Sequence, residues 1–234
     1  MQNGIQSITV FGDSILKGVV SHRTNKIFDV ISNDSLTLAS RALSFSFTNK
    51  SLYGNVITKD LQLVEKMLSK NTLPDATIVV SGTNDSDYDW NKISARPNDE
   101  HTQLVPLPLF LETFKTIIEK LRERKITPIM MTMLPIDVEL WFREIVDGKN
   151  ENAIRTFLEN DIQKLYLNNE RYSIAVLQFA RKHNVQIVDM RSLFLAQNHI
   201  RDFFCIDGIH PNEKGYELMA SLWIEELPKL KKEF

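Results

Sequence analysis

One cysteine, Cys205, stands in 234 residues, so the chain can form neither an internal disulfide nor a thiolate-rich zinc site. A lone cysteine reads as a small buried hydrophobe and is assigned no chemistry. No apolar run approaches the ~18 residues that span a bilayer. The opening Met1-Gln2-Asn3-Gly4-Ile5 lacks a basic region followed by an apolar stretch, so the sequence predicts a cytoplasmic protein without a signal peptide. Surplus positive charge is missing too. Lys and Arg number 28 against 30 Asp and Glu, a net charge of −2, which leaves no electrostatic footprint for a nucleic acid. Internal repeats and low-complexity linkers are also missing, and the length suits one core. A single domain over 1–234 is expected.

What is present is a rhythm of short apolar runs and amphipathic stretches. Ser7 to Phe11, Phe45 to Thr48, Ala76 to Val80, Ile129 to Met133 and Val185 to Val188 read as strands. Most are continuously apolar, as strands buried on both faces must be. Leu111, Phe114, Ile117, Ile118 and Leu121 recur at helical spacing, with Glu112, Lys115, Glu119 and Lys120 on the opposite face. Leu61, Val64 and Leu68 mark a shorter helix, Asp161 to Asn184 a long one, and Met219, Leu222, Trp223 and Leu227 a helix near the C-terminus. The tail from Lys229 to Phe234 reads as a solvated helix end. Strand followed by helix, about five times over, predicts a three-layer α/β/α sandwich around a parallel sheet of about five strands. Ligands bind such sheets at the carboxyl ends of the strands, so active residues should follow strands. Two segments break the rhythm: Asp85 to Pro108, and Pro135 to about Asn160. They are read as surface excursions that shape a binding site or carry short helices.

Gly12-Asp13-Ser14 follows the first strand. A serine hydroxyl attacks only when a base takes its proton, and a sharp turn after a buried strand would expose it. Read alone, the tripeptide fits a helix cap better. Asp207-Gly208-Ile209-His210-Pro211 places an imidazole, the natural base at neutral pH, three residues after a carboxylate that could fix its tautomer. The rival readings are a metal-binding pair, for which no zincin-type spacing exists, and a loop bonded to its own backbone. Ser81-Gly82-Thr83-Asn84-Asp85 leaves the third strand. The Asn84 amide could face a developing oxyanion or could form an Asx turn. Gly54 follows the second strand and could offer a backbone N–H or be a plain turn glycine. Together these residues make a full acyl-transfer set, and the combination favours an enzyme.

The order Gly-Asp-Ser, Gly, Gly-x-Asn-Asp and Asp-x-x-His-Pro, from Ile8 to about Trp223, resembles the GDSL/SGNH hydrolases, bacterial lipase/acylhydrolase-like members in particular. Ile15 stands where the family has Leu, and the block Asn49 to Gly54 is less typical. The resemblance implies a flavodoxin-like sandwich with Ser14 as nucleophile, and Asp207 and His210 completing a triad. It also implies an oxyanion hole from Ser14, Gly54 and Asn84, and no metal or organic cofactor. The implied partner is a small ester, whether an acylated alcohol, a lipid or a carbohydrate. Trp90, Trp141 and Phe142 are candidate substrate contacts, lining an acyl or sugar pocket, or equally core residues. An acyltransferase on the same site, or a binding protein that keeps the fold, are the alternatives.

Overall fold

Ser-Ile-Thr-Val-Phe is rich in β-branched and aromatic side chains and stops at a glycine. In the computed structural model, which describes residues 4–22 and 28–234, it forms the second strand of the sheet, β1 (Ser7–Phe11). The chain continues through α1 (Ser14–Lys17), the hairpin β2 (Val19–Ser21) and β3 (Phe28–Val30), then α2 (Ser35–Leu43), β4 (Ser46–Asn49) and α3 (Ile57–Leu68). Next come β5 (Ala76–Val79), α4 (Trp90–Ala95), α5 (Leu107–Glu123), β6 (Thr127–Met131), α6 (Val138–Val146) and α7 (Glu151–Phe157). The last elements are α8 (Gln163–Lys182), β7 (Gln186–Val188), α9 (Met190–Leu195) and α10 (Glu213–Glu226).

Five strands pair in the order β4-β1-β5-β6-β7, all parallel, while β2 and β3 form a separate antiparallel pair. Successive side chains of each central strand face opposite layers. Ile8 and Val10 of β1, Ile78 of β5, and Ile129 and Met131 of β6 pack with Leu36, Phe194, Met219 and Trp223 from α2, α9 and α10. Phe11, Val79 and Met130 pack on the other side with Val64, Phe114, Ile117, Tyr172 and Val176 from α3, α5 and α8. The central strands therefore carry apolar residues toward both layers, with Thr9, Thr77 and Thr127 buried among them, and the sheet is the middle of three layers. Helix starts are set by side chains: Asp34 accepts from the N–H of Leu36 and Thr37, and Asn212 from that of Gly215.

The structure differs from the sequence reading in three places. β6 begins at Thr127, so Pro128 lies inside it opposite Thr77, near the strand's start where a missing N–H is most easily tolerated. The two irregular segments carry short helices, α4 in the first and α6 and α7 in the second. They pack on each other, with Trp90 and Ile93 of α4, Phe142 and Ile145 of α6, Ile154 of α7 and Leu165 of α8 forming a third apolar core. The C-terminal tail is not a solvated helix end. Helix α10 closes in a 3-10 turn (Leu227–Lys229), Leu230 is buried, and Lys231 exchanges two hydrogen bonds with the Gln186 side chain. Lys232 then pairs with Asp75, and Glu233 with Arg122, tying the tail across the sheet.

Candidate active site

The turn after β1 leaves little room for a side chain at Gly12. A Cβ there would come within 3.2 Å of the Val80 carbonyl oxygen and 3.3 Å of both Leu16 Cδ1 and Ser51 Oγ. Asp13 caps the short helix α1, its Oδ1 accepting the Ile15 N–H at 2.9 Å. Burial pushes the Asp13 carboxyl up to about 6, against the Ile15 hydrogen bond and the attraction of His210. Ser14 is therefore the first residue of a helix at the carboxyl end of β1.

Its hydroxyl oxygen lies 2.8 Å from His210 Nε2, and His210 Nδ1 lies 2.7 Å from Asp207 Oδ2. The other Asp207 oxygen accepts the backbone N–H of Ile209 and of His210, each at 3.0 Å. Burial alone would raise the Asp207 carboxyl, but the hydrogen bond and charge of His210, with the two backbone donors, hold it below the ordinary carboxylate range. The loop is held rigidly. The Cys205 N–H donates to the His210 carbonyl at 2.7 Å, and Phe204 bridges to Pro211. The Asp137 N–H, at the start of α6, donates to the Gly208 carbonyl at 2.8 Å. Gly208 has φ +73°, and a Cβ would sit 2.6 Å from the Asp137 carbonyl oxygen, so both conformation and space require glycine. Cys205 is buried, with its sulfur between the Ser21 N–H and the Pro211 carbonyl.

Gly54 sits in an exposed turn after β4, with φ +63°. Asn84 follows β5, and its side-chain amide donates one hydrogen to the Asn55 carbonyl at 2.9 Å, which leaves the second for a ligand. Both residues leave the same sheet edge as Ser14. A hydroxyl, an imidazole and a carboxylate linked in this order can deliver an alkoxide-like nucleophile and take its proton. Trp90 and Phe142 are buried in the third core, so packing accounts for them rather than contact with substrate. Trp141 is half-buried and lines a small cavity of about 40 Å³ with Asn84, Ile136, Leu165 and Ile209. A groove of about 510 Å³ between β4 and α3 lies elsewhere and contains none of these residues. Among the described residues no group of three His, Cys, Asp or Glu is placed to hold a metal.

The sequence reading missed the aromatic cover of the imidazole. The Tyr53 ring lies nearly parallel to His210 with centroids 6.3 Å apart, Phe28 is tilted against it at 5.6 Å, and the two aromatic rings are 5.0 Å apart. Tyr53 is 55% exposed and Phe28 38%, so they form an apolar shelf open to solvent. Also missed was a buried set of polar groups beneath the site: Asn55, Asp60, Ser81 and Asp85. A usable signal existed. Asp60 shares the apolar face of α3 with Ile57 and Val64, a position where an acid must have buried partners.

A five-stranded parallel sheet between two helical layers is the fold of the GDSL/SGNH α/β hydrolases. A model of the GDSL-like Lipase/Acylhydrolase family matches residues 10–218, and the chain belongs to that family, whose general chemistry is ester hydrolysis. No curated protein matches the sequence. Among solved structures, a lipase/acylhydrolase from Enterococcus faecalis superposes with a TM-score of 0.65 at 18% identity, covering 98% of this chain and 100% of that one. A lipolytic protein of the G-D-S-L family from Veillonella parvula gives 0.64 at 19% identity, covering 96% and 100%. A catalytic mutant of an acetylxylan esterase from Geobacillus stearothermophilus gives 0.64 at 18% identity, covering 96% and 94%. At these identities the likeness is one of fold.

Proposed function

We propose that the protein is a serine esterase that cleaves carboxylic esters through an acyl-enzyme on Ser14, with the chain acting as one hydrolase domain. The observation that carries this reading is the continuous relay from Asp207 through His210 to Ser14, with contacts of 2.7 and 2.8 Å. In the first half-reaction the Ser14 oxygen bonds to the ester carbonyl carbon while His210 Nε2 takes the hydroxyl proton. Asp207, held as a carboxylate by its backbone donors, stabilises the imidazolium. The negative charge moves onto the carbonyl oxygen, where the backbone N–H groups of Ser14 and Gly54 and the free amide hydrogen of Asn84 receive it. His210 returns the proton to the alkoxide as the carbon–oxygen bond breaks, and the alcohol leaves. Water then repeats the sequence on the acyl-enzyme, releasing the carboxylic acid and restoring Ser14. The chemistry in this reading is complete with side chains and water alone.

The small cavity beside Asn84 has room for about three waters, the bulk of a short acyl group rather than a fatty chain. We therefore assign short acyl esters as substrates, with the alcohol on the His210 side, where Tyr53 and Phe28 lie. A fluorophosphonate probe should label Ser14 of the folded protein, and Ser14→Ala should abolish both labelling and p-nitrophenyl acetate hydrolysis. Hydrolysis that persists unchanged in Ser14→Ala would remove the mechanism.

A further inference from the structure

An acid inside an apolar layer is costly unless it is bonded, and Asp60 on α3 is fully buried. Its two oxygens reach two different loops. Oδ1 accepts from the Asn55 side-chain amide at 2.5 Å, and Oδ2 meets the Ser81 hydroxyl at 2.5 Å. The same Asn55 amide also donates to the Gly12 carbonyl at 3.0 Å, and the Asn55 backbone carbonyl accepts from the Asn84 amide at 2.9 Å. Asp85 completes the set by accepting the Ile57 N–H at 2.8 Å, which caps α3 from the loop that carries Asn84. Gly12 precedes the nucleophile turn, Asn55 follows Gly54, and Ser81 opens the loop to Asn84. Asp60 therefore joins the Asn55 and Ser81 segments directly and reaches the Gly12 segment through the Asn55 amide.

We infer that Asp60 is a positioning residue that fixes the spacing of the three oxyanion donors: it ties the Asn55 and Ser81 segments to each other and orients the Asn55 amide that holds the Gly12 carbonyl. This rests on the reading of Ser14 as nucleophile. A helix-dipole role does not account for the arrangement. An acid in the first turn of α3 would serve that purpose from the surface, whereas this one is turned inward onto loops. The charged groups facing Asp60 are themselves acids, Asp13 from the nucleophile turn and Asp85 from the loop after β5. Burial pushes the Asp60 carboxyl up to about 7, against the Ser81 and Asn55 hydrogen bonds and with Asp13 adding to the rise. The Asn55 amide and the Ser81 hydroxyl both donate to this carboxyl; an asparagine side chain keeps an acceptor for Asn55, and its NH₂ can donate to the Ser81 oxygen once that hydroxyl rotates.

The test compares Asp60→Asn, Asp60→Leu and Ser81→Ala with the parent enzyme and with Ser14→Ala, measuring kcat and KM on p-nitrophenyl acetate and the thermal midpoint. A misplacement of about 1 Å at the reacting centre costs on the order of 10²-fold in rate. Asp60→Leu should therefore lose about that factor in kcat with KM nearly unchanged, Ser81→Ala a smaller factor in the same direction, and Asp60→Asn about threefold at most. Wild-type kcat in Asp60→Leu, losses confined to KM, or equal losses in the Leu and Asn variants would overturn the clamp. Should the Leu variant fail to fold, wild-type kcat in Ser81→Ala overturns it, and a fall in kcat at constant KM with rescue in Asp60→Asn supports it. Hydrolysis retained by Ser14→Ala would instead defeat the nucleophile reading, whatever the Asp60 variants do.

Discussion

His210 Nε2 lies 2.8 Å from Ser14 Oγ although 196 positions separate the two residues in the chain. The sheet makes this contact cheap. Ser14 is held at the end of β1 by a crowded glycine turn, and His210 is held by a loop bonded to the start of α6. Neither side chain needs to reorganise to meet the other, which is the condition for efficient proton transfer.

Asp207→Asn should preserve the fold and lower kcat by about 10⁴-fold, read by steady-state hydrolysis. The amide oxygen would still serve the Ile209 and His210 N–H groups. That places its NH₂ against His210 Nδ1, which forces the ring proton onto Nε2, facing Ser14. A near-normal kcat would show that His210 does not depend on this carboxylate.

Asn84→Ala should lower kcat by about 10²–10³-fold with little change in KM, because its free hydrogen is used only once charge reaches the carbonyl oxygen. The measurement is a pair of Michaelis curves. An effect limited to KM would place Asn84 in ground-state binding instead.

Acetyl and propionyl esters should be hydrolysed at least tenfold faster, in kcat/KM, than octanoyl esters of the same alcohol. The half-buried Trp141 lines the cavity beside Asn84, so Trp141→Ala should narrow that gap. A panel of p-nitrophenyl esters reads both effects. Equal rates across the panel would contradict the short-acyl assignment.

Stability should fall as pH rises from about 4 to about 7. Burial raises Asp13 to about 6 and Asp60, Asp85 and Asp87 to about 7 in the folded chain, against about 3.8 when unfolded. Between those values the native state holds more protons than the unfolded state, so its advantage is complete below the unfolded value and shrinks on the way up. Asp75, lowered to about 2, and Asp207, also lowered, act oppositely and weaken the fold in stronger acid. Thermal midpoints across pH 3 to 9 check the sign, and Asp60→Asn should flatten the decline.

Much of the architecture was legible because the sheet is buried on both faces. Ser7–Phe11 was read with its observed bounds, and Ala76–Val80 and Val185–Val188 each to within a residue. Ser14, Gly54 and Asn84 follow strands, as expected, whereas Asp207 and His210 stand in the loop before α10 and were picked out by their own spacing. The hairpin of β2 and β3 was not, since three-residue strands leave no periodicity to read. The docked tail escaped for another reason: Lys231, Lys232 and Glu233 look solvated until their partners Gln186, Asp75 and Arg122 arrive from distant segments. For Trp90 and Phe142 the sequence left substrate contact and core equally open, because exposure cannot be seen in a loop-like stretch. Their burial arises only when α4, α6 and α7 meet.

That meeting has a consequence for how such an enzyme can change. The walls contributed after β5 and after β6 share one interior, so neither can be rebuilt without leaving a void or a collision in the other. Grafting one excursion from a relative should yield a damaged protein, while transplanting both as a matched pair should carry the donor's selectivity along with its packing.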